Sequence, residues 1–353
     1  MSHDLLSKLD IRYPIIQAPM AGVSTPALAA AVSEAGGLGS IALGTSTVPA
    51  ARAAIAAVRE KTARPFNANV FTHAPAQADP AREAAWLAWL RPHFTQFGAE
   101  PPAALSEIYR SFLADEAMLE LLLETRPAVV SFHFGLPPQD WIDALKAAGI
   151  VLFTTATSLD EALRIEAAGI DVIVAQGIEA GGHRGIFDPS APDPALPTFE
   201  LLEQLRDKLA LPLVAAGGIM DGKQIRTAFH HGASAVQMGS AFIACPESSA
   251  PPHHRALIAQ GSGLQTELTA VISGRPARGI VNRLFREVGA DGHPPLPDYP
   301  ITYDAAKALH AAASSKGSQD YSVNWGGTNF AQARAMPARE LVATLAAEMD
   351  EEG

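Results

Sequence analysis

Two kinds of segment alternate along the chain. Short apolar runs, many of them β-branched, end in glycine, proline or a polar residue. Between them lie Ala/Leu-rich stretches with helical spacing. Eight runs predict strands: Tyr13–Met20, Gly37–Leu43, Pro65–Phe71, Ala128–Phe134, Val151–Thr157, Val172–Gln176, Pro212–Ala216 and Ala235–Phe242. Continuous apolar character over such lengths points to parallel strands buried on both faces. Helix starts and stops are equally legible. Ser24 and Thr25 precede Pro26, Ser158 opens LDEALRIEAAG with Gly169 at its end, and Asp221 and Gly222 open KQIRTAFHHG, closed by Gly232. Eight β–α alternations in about 240 residues predict an α/β protein, a (β/α)8 TIM barrel, with a doubly wound open sheet as the structural alternative.

Two stretches break the alternation. About 56 residues separate Phe71 from Ala128, too many for one crossover; Pro75, Pro80, Pro92, Pro101 and Pro102 punctuate them, and the remainder reads as short helices carrying Trp86 and Trp89. Pro246–Gly353 shows no further β–α period, only a proline-rich link, HPPLPDYP, and helices such as Tyr303–Ala313. The expected organisation is a barrel over residues 1–71 and 128–245. The inserted segment 72–127 and the C-terminal addition 246–353 form a smaller, mainly helical second domain over one end of it.

Composition narrows the function classes. Hydrophobic residues make up 48% and charged residues 18%, which is globular rather than disordered. With 26 Lys+Arg against 37 Asp+Glu the net charge is −11, which argues against a nucleic-acid partner. A single cysteine, Cys245, excludes an intrachain disulfide and a cysteine zinc cage; it reads as a buried small hydrophobe in a reducing, cytoplasmic compartment. The N-terminal MSHDLLSKLD lacks a signal-peptide pattern, and Met20–Gly44 is interrupted by Glu34, Gly36, Gly37 and Gly39, so no membrane segment is expected.

Candidate chemistry gathers at the predicted strand ends, where barrel enzymes place their sites. These ends carry Ala18–Gly22, Asn67 and Asn69, His133, Gln176 followed by GIEAGGHRG, Ala216-Gly217-Gly218, and Met238-Gly239-Ser240. The glycines and Ser240 on the last two strands suit a phosphate, held by backbone N–H groups and a hydroxyl. No Walker A sequence and no GxGxxG after a strand occurs, so P-loop and Rossmann readings are unsupported. His183 sits in a glycine-rich loop with Arg184 after it. Alone it reads as a solvated loop residue; its flanking Gly181 and Gly182 permit tight folding over a cofactor. His133 reads equally as a satisfied core group or a site residue. There is no HExxH, and the remaining histidines form no metal constellation; GxSxG is absent too. Tyr299, Tyr303 and Lys307 cluster near Pro300. They read either as an amphipathic surface helix or as two phenols and a cation closing a pocket for a small anion.

Together these motifs resemble the nitronate monooxygenase family, formerly called 2-nitropropane dioxygenases. The resemblance is carried by QAPMAGVSTPALAAAVSEAGGLGSIALG, NANVF, SFHFG, QGIEAGGHRG, AAGGI, QMGSAF and SGRPARGIVNR, and covers roughly residues 10–330. Tyr299, Tyr303, Lys307 and SVNWGG at Ser322–Gly327 look like the bacterial class I branch; Ser240 departs from the threonine of many relatives but keeps the hydroxyl.

The resemblance implies noncovalent FMN contacted by Pro19, Met20, Ala21, Asn69, Gln176, Gly181, Gly182, Gly217, Gly218, Gln237, Met238, Gly239 and Ser240. It implies His183 as the active-site histidine, with His133, Tyr299, Tyr303 and Lys307 lining the substrate pocket. The implied reaction is oxidative denitrification of an alkyl nitronate, propionate 3-nitronate foremost, by one-electron transfer to the flavin followed by dioxygen. It requires no metal, membrane or nucleic acid, and it fixes no oligomeric state. The main rival is an FMN-dependent NAD(P)H reductase of the enoyl-acyl-carrier-protein or quinone reductase type, which shares the EAGGH loop. A flavin-binding module without turnover is the third reading.

Overall fold

A computed structural model describes residues 2–351. Its strands, in chain order, are β1 (Ile15–Gln17), β2 (Gly39–Ala42), β3 (Phe66–Phe71), β4 (Val129–His133), β5 (Val151–Ala156), β6 (Val172–Gln176), β7 (Gly182–His183), β8 (Leu213–Ala216), β9 (Ala235–Met238), β10 (Thr266–Thr269) and β11 (Ala277–Ile280). Eight of them pair in parallel in the order β1-β9-β8-β6-β5-β4-β3-β2, and a parallel bridge between Ile16 and Leu38 joins the two ends. This is the TIM barrel expected from the sequence. The last barrel strand is shorter than expected. It stops at Met238, and Ser240–Ile243 turns into a short helix, because Gly239 breaks the extended run and Phe242 N–H bonds back to the Gly239 carbonyl.

The helix signals act as the sequence suggests. Thr25, Ser158 and Asp221 each accept a hydrogen bond from the backbone N–H three residues on, satisfying an otherwise orphaned donor. Glycine is required where helix meets strand most closely: a Cβ on Gly39 would lie 1.9 Å from the Ala29 carbonyl oxygen.

The barrel interior is graded along its axis. At the N-terminal end it is apolar: Leu5 and Leu9 of helix Ser2–Leu9 plug it against Ile16, Leu38, Val129, Phe153, Val172 and Val214. Two-residue steps along the same inward face then turn polar, through Ser131 to His133 on β4, to Thr155 on β5 and to Gln176 on β6. The gradient places chemistry at the C-terminal mouth. A cleft of about 370 Å³ at the opposite end lies between Arg59, Arg64 and Arg126, away from these polar layers.

The two additions divide differently from the sequence boundaries. Helix Glu116–Thr125, inside the insertion, packs Met118, Leu121 and Leu122 into the barrel's main core. Helix Ala338–Asp350 does the same through Leu341, Val342 and Leu345, so an eighth outer helix arrives about a hundred residues after the last barrel strand. The separate apolar cluster is smaller. It joins Trp86, Leu90 and Phe94 of helix Pro80–Thr95 to Leu284, Leu309 and Tyr321. Polar clips tie the same parts together: Arg82 to Asp298 at 2.9 Å, Ser106 N–H to Asp304 at 2.9 Å, and Trp89 Nε1 to the Val288 carbonyl at 3.0 Å. This layer is not wholly helical, since β10, β11 and β7 form a small antiparallel sheet. Cys245 is buried, and burial pushes its thiol up to about 12. No helix among the described residues is long and apolar enough to cross a membrane.

Candidate active site

His183 ends the two-residue strand β7, which pairs with β11, so this loop histidine is held by sheet hydrogen bonds. Its carbonyl accepts from Gln176 Nε2 at 3.0 Å and from His133 Nε2 at 3.2 Å. Gln176 Oε1 in turn accepts from Gly185 N–H at 2.8 Å. Arg184 is fully buried, with a two-point ion pair to Asp193 (2.8 and 3.0 Å) and bonds to the Gln176 and Gly177 carbonyls. These contacts fix the loop that carries the His183 ring.

The ring lies among aromatic neighbours: Trp325 at 5.3 Å, Tyr299 at 5.4 Å, Phe134 at 5.7 Å and Tyr303 at 6.4 Å between centroids. Burial, with the nearby Arg275 charge and the other histidines, holds its pKa down at about 3. His133 uses both ring nitrogens inside the protein, one on the His183 carbonyl and the other 3.1 Å from Thr155 Oγ1, and burial brings it to about 4. Both imidazoles are therefore neutral near pH 7.

Tyr299 is 6% exposed, and its hydroxyl has no partner among the described residues; burial raises it well above the usual phenol range. Helix Ile301–Ser314 begins one residue after Pro300, which therefore sits at its cap rather than in its first turn. Tyr303 and Lys307 share a face of this helix as their spacing suggests. Lys307 Nζ lies over two rings, 4.6 Å from the centroid of Tyr109 and 5.2 Å from that of Tyr303. Sequence reasoning missed Tyr109, as well as His73, Ser273 and Arg275. His73 stands edge-on to Tyr299 at 4.9 Å, and Ser273 Oγ is 2.8 Å from His183 Nε2. Tyr109, Ser273 and Arg275 lie away from the barrel strand ends, where the search for candidates was concentrated, whereas His73 stands two residues past the end of β3 and was passed over; SGRPAR was the one sequence signal that contained two of the four.

Next to β6, which leads into the His183 loop, β8 and β9 end side by side, with Ala216 opposite Gln237. Gly217 and Gly218 both have positive φ, 121° and 73°. The N–H groups of Gly218 and Gly239 donate to no backbone acceptor among the described residues. Gly239 faces Ala18 and Met20 of the loop after β1; a Cβ there would still be 3.6 Å from either side chain. Ser240 Oγ accepts from Gly327 N–H at 3.0 Å, leaving its own proton to donate. Gly181 is pressed against Gly326 and Gly327, so the SVNWGG segment straps over the glycine loop. Of the expected flavin contacts, Asn69 is tied to Ser131 by bonds of 2.9 and 3.1 Å, and Gln176 spends its amide on the His183 loop. Free N–H groups beside a hydroxyl fit a phosphate, and unpartnered polar atoms around the aromatic cup fit a polar ring system or substrate.

Comparison with known proteins agrees with this architecture. A family model described as nitronate monooxygenase matches residues 2–348. The chain is 56% identical to nitronate monooxygenase of Pseudomonas aeruginosa over 341 residues, 97% of each chain, and 56% identical to that of Paraburkholderia phytofirmans, covering 98% of this chain and 94% of the other. Among solved structures, nitroalkane oxidase from Streptomyces ansochromogenes superposes with a TM-score of 0.89 at 39% identity, covering 98% and 97% of the two chains. Match length, identity and barrel architecture together make this chain a member of the nitronate monooxygenase family.

Proposed function

We propose that the protein is an FMN-dependent nitronate monooxygenase that oxidatively denitrifies alkyl nitronates, with propionate 3-nitronate as the preferred substrate and dioxygen as co-substrate. The observation that carries the reading is the convergence of His183, Tyr299, Tyr303 and Lys307 in one cluster, joined through Trp325 and Gly327 to Ser240 beside the glycine-rich strand ends. Gly217, Gly218, Gly239 and Ser240 would hold the phosphate, with Pro19–Ala21 and Gln237 beside them. The flavin supplies the one-electron chemistry that no side chain provides.

The chain's own residues then bind and orient. A nitronate is already deprotonated, so the site needs donors and positive charge more than a strong base. Lys307 supplies charge at the outer rim, where an exposed ammonium is least costly, and Tyr299 offers a buried hydroxyl. Neutral His183 and His133 add no charge of their own. His133 and Gln176 act as positioning residues, holding the His183 backbone from two sides. Phe134, Trp325 and the tyrosines exclude water from the reacting end.

The test is direct. Heat-released cofactor is expected to chromatograph as FMN, and purified enzyme to consume oxygen with propionate 3-nitronate. Rapid anaerobic bleaching by NADH or NADPH, without nitronate turnover, would overturn the proposal in favour of the reductase; response to neither would leave only a flavin-binding module.

A further inference from the structure

Two arginines are buried among the described residues, and they differ in one respect. Arg184, 1% exposed, has Asp193 as its counter-ion. Arg275, 4% exposed, has no carboxylate within ion-pair distance among the described residues. The carboxylates whose fields reach it are committed elsewhere. Glu161 accepts from Thr157 and from Phe187 N–H, and Asp188 accepts from Ser190. Arg275 donates to the Ile186 carbonyl, yet its Nε has no acceptor among the described residues. A buried charge without a partner is strongly unfavourable, so such a group marks a place where a partner arrives.

Further unpartnered buried atoms lie around the same ring. Arg275 Cζ is 4.4 Å from the Phe134 centroid, Tyr299 is 5.4 Å from it and His73 is 6.2 Å from it. Tyr299 Oη and both nitrogens of His73 have no hydrogen-bond partner among the described residues. His73 is 1% exposed, and burial holds its pKa at about 4, so it offers one neutral N–H. His183 touches the same Phe134.

We infer that Arg275, with Tyr299 and His73, forms an inner anion pocket that takes the planar nitronate group, while Lys307 at the rim serves a different part of the substrate. The guanidinium fork presents two parallel N–H groups, which matches the two oxygens of a nitronate; an ammonium has no such plane. A substrate with two anionic ends then meets two cations at two depths. The inference rests on the nitronate reading for the identity of the anion.

Nitrate, a planar oxyanion that is not turned over, is the probe. Holoenzyme is titrated with sodium nitrate against sodium chloride at equal ionic strength, following flavin absorbance and melting temperature. Nitrate is expected to bind the unsubstituted enzyme and raise its melting temperature. Arg275→Met is expected to raise the nitrate Kd at least tenfold, abolish that rise, and depress kcat/KM alike for propionate 3-nitronate and ethyl nitronate. Arg275→Lys, which keeps charge without the fork and leaves folding least disturbed, is expected to raise the nitrate Kd at least threefold. An unchanged Kd in both variants overturns the inference, as does an enzyme that turns over nitronates yet binds no nitrate. Nitrate binding that depends on Arg275 in an enzyme with no nitronate turnover would instead defeat the proposed function and leave the pocket standing.

Discussion

His183 Nε2 lies 2.8 Å from Ser273 Oγ, and that hydroxyl is placed to donate to the Arg275 carbonyl 3.1 Å away. With its proton committed, Ser273 accepts, so the imidazole is the donor of the pair. The network therefore assigns the Nε2–H tautomer to neutral His183 and leaves Nδ1 with a lone pair. The residue is better equipped to accept a hydrogen bond at Nδ1 than to donate one there.

Ser273→Ala should release this orientation without removing the ring. A hydrogen bond of this kind contributes on the order of 1 kcal/mol, so kcat/KM is expected to fall about three- to tenfold at unchanged flavin content. His183→Asn removes the Nδ1 acceptor and the ring's aromatic contacts together, and should cost more than Ser273→Ala. Steady-state kinetics normalised to bound flavin check both. Equal activity in His183→Asn and the unsubstituted enzyme would reduce the histidine to a loop anchor.

The buried histidines also set an acid limit on stability. His73, His133 and His254 are held at about 4 and His183 at about 3, each chiefly because burial disfavours the imidazolium. Unfolded, they titrate near 6.5. Between those values the unfolded chain binds more protons, so stability is full above about pH 6.5 and falls as pH drops toward 4. The slope reaches at most about 1.4 kcal/mol per pH unit for each histidine. Urea midpoints measured from pH 7.5 to 5 should decline; a flat profile would mean these rings are charged or exposed in the folded protein.

The eight barrel strands were legible because both faces of each are buried, which leaves a continuous apolar signature. The eighth outer helix was not, because Ala338–Asp350 reaches its slot by tertiary packing after a long excursion that no local pattern announces. The candidate site divides the same way. His183 and the β8–β9 glycines stand at strand ends and announce themselves, whereas Tyr109 enters from the inserted segment and meets Lys307 only in the folded chain. His133 shows a further limit. Its type and place were readable, but its engagement through both nitrogens depends on Thr155 and the His183 carbonyl, 22 and 50 residues away.

Gly218 offers a test of the phosphate end. Its φ of 73° suits glycine, and a Cβ would press to 3.2 Å from Glu179 Cβ. Gly218→Ala therefore introduces strain alone, and Gly218→Asp adds a negative charge beside the proposed phosphate. The flavin-to-protein ratio after gel filtration is expected to fall in the order unsubstituted, alanine, aspartate. Full retention in the aspartate variant would move the phosphate away from this strand end.

On the proposed function, Lys307 is expected to set which nitronate the enzyme prefers. Its ammonium rests over Tyr109 and Tyr303, on an exposed side chain of an otherwise largely covered helix, and partial burial lowers its pKa, so the charge is available but incompletely hydrated. A charge-assisted hydrogen bond to a carboxylate is worth about 1.5–3 kcal/mol. Lys307→Met keeps the length and the apolar contact with both rings while deleting the charge. It should lower kcat/KM for propionate 3-nitronate by roughly ten- to a hundredfold and change ethyl nitronate far less, since that substrate has no carboxylate to hold. Lost flavin or damaged folding would depress the two substrates together, so their ratio isolates the charge. Equal losses per bound flavin would assign Lys307 to the nitronate end, in competition with Arg275, and no loss with either substrate would return it to an ordinary solvated helix face.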